Sequence, residues 1–216
     1  MSEPQAVGTE RVGEAAVYVV SYVEVMPPAM GEAAALLRQY REMSRTDAGH
    51  GRLEVLQQHG RRGHVAIVEQ WQDQQTFTAH AMAAHTRHFR EQLRPLCTSP
   101  YDERLHHGLA RGAPLTASTT DATYVLTHAD AVPPAKDDAV ALLLQLAETS
   151  RTESGNVRFE VWQQHSRPNH LTVVEIWQNQ EAFDAHAMAA HTRHFREQFQ
   201  PLSGSLYDER LYRALA

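Results

Sequence analysis

The chain has 216 residues, 42% hydrophobic and 21% charged, with a net charge of -6; that balance is ordinary for a globular protein and excludes a disordered or fibrous class. The acidic sign argues against a general nucleic-acid surface, which needs a basic stripe to displace counterions, and no run approaches the roughly 18 apolar residues of a membrane span. Cys97 is the only cysteine, so an intrachain disulfide or thiolate metal cluster is excluded and a reducing cytoplasm is the expected location.

Residues 1–16 lack the basic and apolar regions of a signal peptide and read as a polar tail. The segment from Tyr18 to Ala110 then recurs without a gap, 106 positions later, as Tyr124 to Ala216, with 53 of 93 pairs identical. One unit is written twice. Identity peaks from Ala79 to Gln92, which returns letter for letter as Ala185 to Gln198. The domains are therefore 17–110 and 122–216, joined by a linker at 111–121 rich in Ala, Thr, Ser and Gly.

In chain order, β-branched and aromatic residues from Tyr18 to Val25 predict a strand stopped by Pro27-Pro28. Gly31 to Ser44 predicts a helix with Ala34, Leu37, Tyr40 and Met43 on one face, ended near Gly49. Arg52–His59 and His64–Trp71 read as two strands around the turn Gly60-Arg61-Arg62-Gly63. Asp73 caps a long helix running to about Leu93, Pro95 follows it, and Tyr101–His107 is a last strand. The second copy repeats each element, with Asn179 as the cap.

The order β-α-β-β-α-β is the ferredoxin-like split unit, a four-stranded antiparallel sheet with both helices on one face. Its bare face costs roughly 25 cal/mol per Å² of exposed apolar area. A second copy covers that face. The expected fold is α+β: tandem ferredoxin-like units forming a dimeric α+β barrel within one chain, helices outside. Further association into a homodimer of chains stays open.

On a continuous helix His85 and His88 fall on the apolar arc with Phe77, Ala81, Met82, Phe89, Leu93 and Leu96, and His80 lies at its border. Desolvated imidazoles with pKa values near neutrality suit proton abstraction from an acidic substrate; the plainer reading is a histidine satisfied by a backbone carbonyl or by a carboxylate such as Glu69. His80 stands about 140° from His85 on that wheel, and the spacing is not H-E-x-x-H, so no metal is assigned. Cys97 is matched by Ser203 and reads as inert. Phosphate loops, serine elbows and dinucleotide fingerprints are absent from the sequence.

Val68-Glu69-Gln70-Trp71, then His80 and His85, then Tyr101-Asp102-Glu103-Arg104-Leu105 resemble the antibiotic biosynthesis monooxygenase family, and Val174-Glu175-Ile176-Trp177, His186, His191 and Tyr207-Asp208-Glu209-Arg210-Leu211 repeat the pattern. The resemblance implies barrel dimers with sites between sheet and helices, and activities spanning cofactor-independent oxygenation of quinols and anthrones, haem degradation and isomerisation of small carbonyl compounds. Haem degradation is disfavoured, because Arg90 and Arg196 stand about where a haem-ligating His is expected. The expectation is a cofactor-independent monooxygenase for a quinol, anthrone or similar phenol, with molecular oxygen as co-substrate. His80 and His186 are its bases, and Trp71, His85 and Glu69, with Trp177, His191 and Glu175, bind substrate. The rivals are a dicarbonyl isomerase or tautomerase and a non-catalytic ligand-binding barrel.

Overall fold

The computed structural model describes residues 16–112 and 121–215. The expected N-terminal tail and most of the linker lie outside the described residues. In the first repeat the elements are β1 (Val17–Glu24), α1 (Met30–Ser44), β2 (His50–Gln58), β3 (His64–Trp71), α2 (Gln74–Met82), α3 (Ala84–Leu93) and β4 (Asp102–Ala110). The second repeats them as β5 (Thr123–Asp130), α4 (Lys136–Ser150), β6 (Asn156–Gln164), β7 (His170–Trp177), α5 (Gln180–Met188), α6 (Ala190–Phe199) and β8 (Asp208–Ala214). The α+β tandem ferredoxin-like architecture is as expected from the sequence.

The strands close into one antiparallel barrel in the order β1-β3-β2-β8-β5-β7-β6-β4. Closure depends on two seams between repeats: β2 with β8, where Gln57 faces Arg213, and β4 with β6, where His107 faces Gln163. Full closure leaves no unpaired edge. Strand alternation sorts the side chains into layers. Tyr18, Val20, Leu56, Val68, Leu126, Trp162, Val174 and Tyr212 fill the barrel, while Val55, Val65 and Ile67 pack outward against Leu37, Tyr40, Phe89 and Leu93 of the helices. No helix among the described residues is long and apolar enough to cross a membrane.

Two expectations are corrected. The inner face of α1 is Ala33, Leu37, Tyr40 and Ser44, whereas Met43 is exposed. The long second helix is two helices. Asp73 caps α2 by accepting from the Thr76 N–H, as read from the sequence, but Ala83 takes an extended conformation (φ -62°, ψ 148°) and α3 starts anew. Ala189 does the same between α5 and α6. The physical reason is phase: after buried Phe77 and His80, a continuous helix would turn Ala84 and Arg87 toward the sheet. The break instead buries Thr86, Phe89 and Leu93 and leaves Met82, Arg87 and His88 outside.

Candidate active site

The site of the first repeat grows from three elements meeting over the outer face of the sheet. Alternation on β3 sends Glu69 and Trp71 outward with Ile67, where Trp71 Nε1 donates to Glu69 Oε2 at 2.9 Å. The last turn of α2 lays His80 flat on Trp71, ring centroids 4.2 Å apart. Tyr40 of α1, itself stacked on Phe89, places its hydroxyl 2.7 Å from His80 Nε2 and 3.2 Å from Glu69 Oε1. Asp47 reaches in from the loop after α1, and its Oδ2 lies 2.6 Å from His80 Nδ1. That loop is held by Gly49, whose φ of 75° and contact with Thr76 leave no room for a Cβ.

A connected chain therefore runs Asp47, His80, Tyr40, Glu69, Trp71. Burial pushes Glu69 up to about 7, against the lowering effect of the Trp71 hydrogen bond. Burial lowers His80, partly offset by its hydrogen bond to Asp47, and raises the Tyr40 phenol well above its usual value. Tyr40 has one hydroxyl hydrogen and two claimants. If it donates to ionised Glu69, His80 Nε2–H must donate to the Tyr40 oxygen, and His80 is then an imidazolium facing Asp47. If Glu69 holds the proton and donates to Tyr40, then Tyr40 donates to a neutral His80, whose Nδ1–H donates to Asp47. The two arrangements carry the same net charge and differ by one proton moved from Glu69 to His80.

The expected residues of the first repeat are thus assembled into one cluster. His80, Glu69 and Trp71 are buried against one another, with the Trp71 ring backing the His80 imidazole. A cavity of about 750 Å³ opens between α3 and β4, lined by Arg90, Leu93, Arg94, Cys97, Thr98, Ser99, Pro100, Tyr101 and Glu103. Arg90 pairs with Glu103 there and lies 5.2 Å over the Tyr101 ring. Burial raises the Glu103 carboxyl, opposed by Arg90. Burial and the Glu69 charge raise the Tyr101 phenol. Glu69 in turn is raised by Glu103 and lowered by Arg90, so the buried chain and the cavity wall form one electrostatic unit. Tyr40, Asp47, Arg90 and Glu103 were not picked out as site residues from the sequence. Tyr40 had a signal, a hydroxyl on a predicted inner helix face.

The second repeat matches with one gap. Trp177 Nε1 donates to Glu175 Oε2 at 2.8 Å, His186 stacks on Trp177 at 4.6 Å, and His186 Nδ1 meets Glu153 Oε1 at 2.6 Å. Leu146 replaces Tyr40, and His186 Nε2 stops 3.8 Å from Glu175 Oε2 with no hydroxyl between them. Burial pushes Glu175 up to about 8. The matching cavity, by Arg196, Phe199 and Tyr207, is about 500 Å³.

His85 and His191 join their clusters through the helix breaks. His85 Nε2 lies 3.1 Å from Asp47 Oδ2, and His191 Nε2 lies 3.0 Å from Glu153 Oε1. The roughly 140° that a continuous helix would put between His80 and His85 is undone by the break at Ala83, which brings their ring centroids to 5.7 Å. Among the described residues, Asp47, His80 and His85, and Glu153, His186 and His191, lie close enough together to hold a metal ion.

Fold and site together define a fused dimeric α+β barrel with a buried acid-base cluster under each pair of helices. The antibiotic biosynthesis monooxygenase family profile matches residues 16–92 and 123–198, and the chain belongs to that family, in two tandem copies. Similar solved structures include a candidate monooxygenase from Fusobacterium nucleatum subsp. nucleatum (TM-score 0.83, 13% identity, 94% of this chain and 93% of that one). An anthrone oxidase-like protein is also similar (TM-score 0.70, 12% identity, 93% and 92%). At such identities the likeness speaks for the fold alone. Among curated proteins none matches in sequence.

Proposed function

We propose that this protein is a monooxygenase for an electron-rich phenolic small molecule, a quinol or an anthrone, that takes its electrons from the substrate and uses molecular oxygen as co-substrate without flavin or a redox-active metal. One observation carries the reading. A cavity faced by the Arg90–Glu103 pair and Tyr101 is coupled to a buried carboxyl, Glu69, held near neutrality and linked through Tyr40 and His80 to Asp47 at the surface. The volume of about 750 Å³ lies within the range of small-molecule sites.

Loss of a proton turns a phenol or anthrone into an oxyanion, a far better electron donor to oxygen. Arg90 stabilises that oxyanion, Glu103 on the cavity wall receives the proton, and Glu69, buried behind that wall and coupled to both, takes it on. For an anthrone the balance is R₂CH₂ + O₂ → R₂C=O + H₂O: one oxygen atom enters the product, the other leaves as water, and the substrate supplies all four electrons. His80 acts behind the wall, sharing that proton with Glu69 through Tyr40 on its Nε2 side. His186 has no such path, so turnover belongs to the first repeat.

Oxygen uptake over a panel of quinols and anthrones tests this. Glu69→Gln is expected to lose roughly 10²-fold or more, in line with removal of an acid-base group, and a His80→Ala/His186→Ala double variant to lose no more than His80→Ala alone. Tyr40→Phe should flatten the pH profile, while Leu146→Tyr leaves the rate alone. Equal uptake by Glu69→Gln and the parent protein sinks the mechanism. Turnover of a dicarbonyl under nitrogen would favour the isomerase reading, which uses the same carboxyl without oxygen.

A further inference from the structure

We propose that each repeat binds one divalent transition-metal ion of the zinc type, through Asp47, His80 and His85 in the first and Glu153, His186 and His191 in the second. In each trio the ligand atoms lie within 4.8 Å of one another. The carboxylate oxygen is 2.6 and 3.1 Å from the two imidazole nitrogens in the first repeat, and 2.6 and 3.0 Å in the second. Ligands at the roughly 2.0–2.2 Å of zinc–nitrogen and zinc–oxygen bonds stand about 3 to 3.5 Å from each other in a tetrahedron. Small shifts would admit an ion.

Three further observations converge. The helix break at Ala83, in an Ala-Met-Ala-Ala run that favours uninterrupted helix, brings His80 and His85 to 5.7 Å between ring centroids, and Ala189 repeats it at 5.9 Å. His85 Nε2 is buried, faces Asp47 Oδ2 and makes no hydrogen bond there. Finally, the acidic residue differs between repeats, Asp47 against Glu153, yet each delivers a single oxygen to the same two imidazoles.

The supporting contacts are those of a metal-bound imidazole. His80 presents Nδ1 to the trio while Nε2 is fixed by the Tyr40 hydroxyl at 2.7 Å. Two imidazoles and one carboxylate suit zinc and its neighbours in the first transition row, not the all-oxygen preference of magnesium or calcium. His80 is sealed, but Asp47 keeps 20% and His85 14% of the side-chain surface exposed. A path for ion entry and a fourth position for water follow. The ion would sit on the Asp47 side of His80, away from Tyr40 and Glu69.

The test uses the full chain, stripped with chelator and titrated with Co²⁺, read by visible absorption, and with Zn²⁺, read by equilibrium dialysis. Two ions per chain are expected. Asp47→Asn/His85→Gln, at the partly exposed ligands, should leave one, and adding Glu153→Gln/His191→Gln should leave none, each variant folding as judged by circular dichroism. Binding of less than one ion per chain by the parent, or unchanged binding by the fourfold variant, overturns the proposal. Since binding is read without turnover, failure here is separate from failure of the proposed oxygenation.

Discussion

Glu69→Gln has a consequence for stability that needs no substrate. The folded state holds the Glu69 proton to about pH 7, against an ordinary value of 4.5. The folded state therefore binds the proton more tightly than the unfolded chain, and stability falls as pH rises from about 4.5 to about 7. Its contribution is fully present below 4.5 and lost above 7. At about 1.4 kcal/mol per unit the span amounts to about 3 kcal/mol, an upper figure for a group this buried. Gln cannot ionise, and its amide reproduces the protonated carboxyl, accepting from Trp71 Nε1 and donating to Tyr40. In chelator-treated buffer, urea unfolding of Glu69→Gln should therefore match the parent protein near pH 4.5 and exceed it by about 1 to 3 kcal/mol at pH 8. Glu175, raised in the same way, is present in both proteins and cancels. A difference that stays flat from pH 5 to 8, or a variant less stable than the parent at pH 8, refutes a near-neutral Glu69.

Other substitutions probe the framework. Ala84→Pro should be tolerated within about 1 kcal/mol in thermal unfolding, because Ala84 opens α3 and follows an extended residue; in a continuous helix it would cost about 3 kcal/mol. Gly49→Ala combines positive φ with a Cβ only 2.5 Å from Thr76, while Gly60→Ala has positive φ with open space. Equilibrium unfolding should show the first costing clearly more than the second, itself about 1 kcal/mol. Tyr40→Phe keeps the Phe89 stack but strands His80 Nε2, and should destabilise by about 1 to 3 kcal/mol in denaturant titration.

What could be read beforehand was whatever local rules settle. The β3 limits His64 and Trp71 follow from alternation between turns, and the Asp73 cap from its side-chain chemistry. The barrel followed from a bare sheet face needing cover and from a repeat able to cover it. The breaks at Ala83 and Ala189 were hidden because alanine is the best helix former; the demand for them is tertiary. A trace was present: Phe77 and Phe89 are twelve apart, about 120° out of phase on one helix, yet both are buried. Arg90 and Glu103 were missed for a related reason. The continuous wheel turned Arg90 to solvent, whereas the restarted helix aims it at β4.

The seams joining β2 to β8 and β4 to β6 make the two repeats one object. When such a barrel is assembled from two identical chains, every mutation strikes both sites at once, and a change tolerable in one must be tolerable in the other. Joining the copies in one reading frame removes that constraint. Tyr40 can persist opposite Leu146, and Asp47 opposite Glu153, because each half now inherits its own changes while still leaning on its twin for a wall. The fusion gives the protein a way to keep a symmetric scaffold and specialise one half of it.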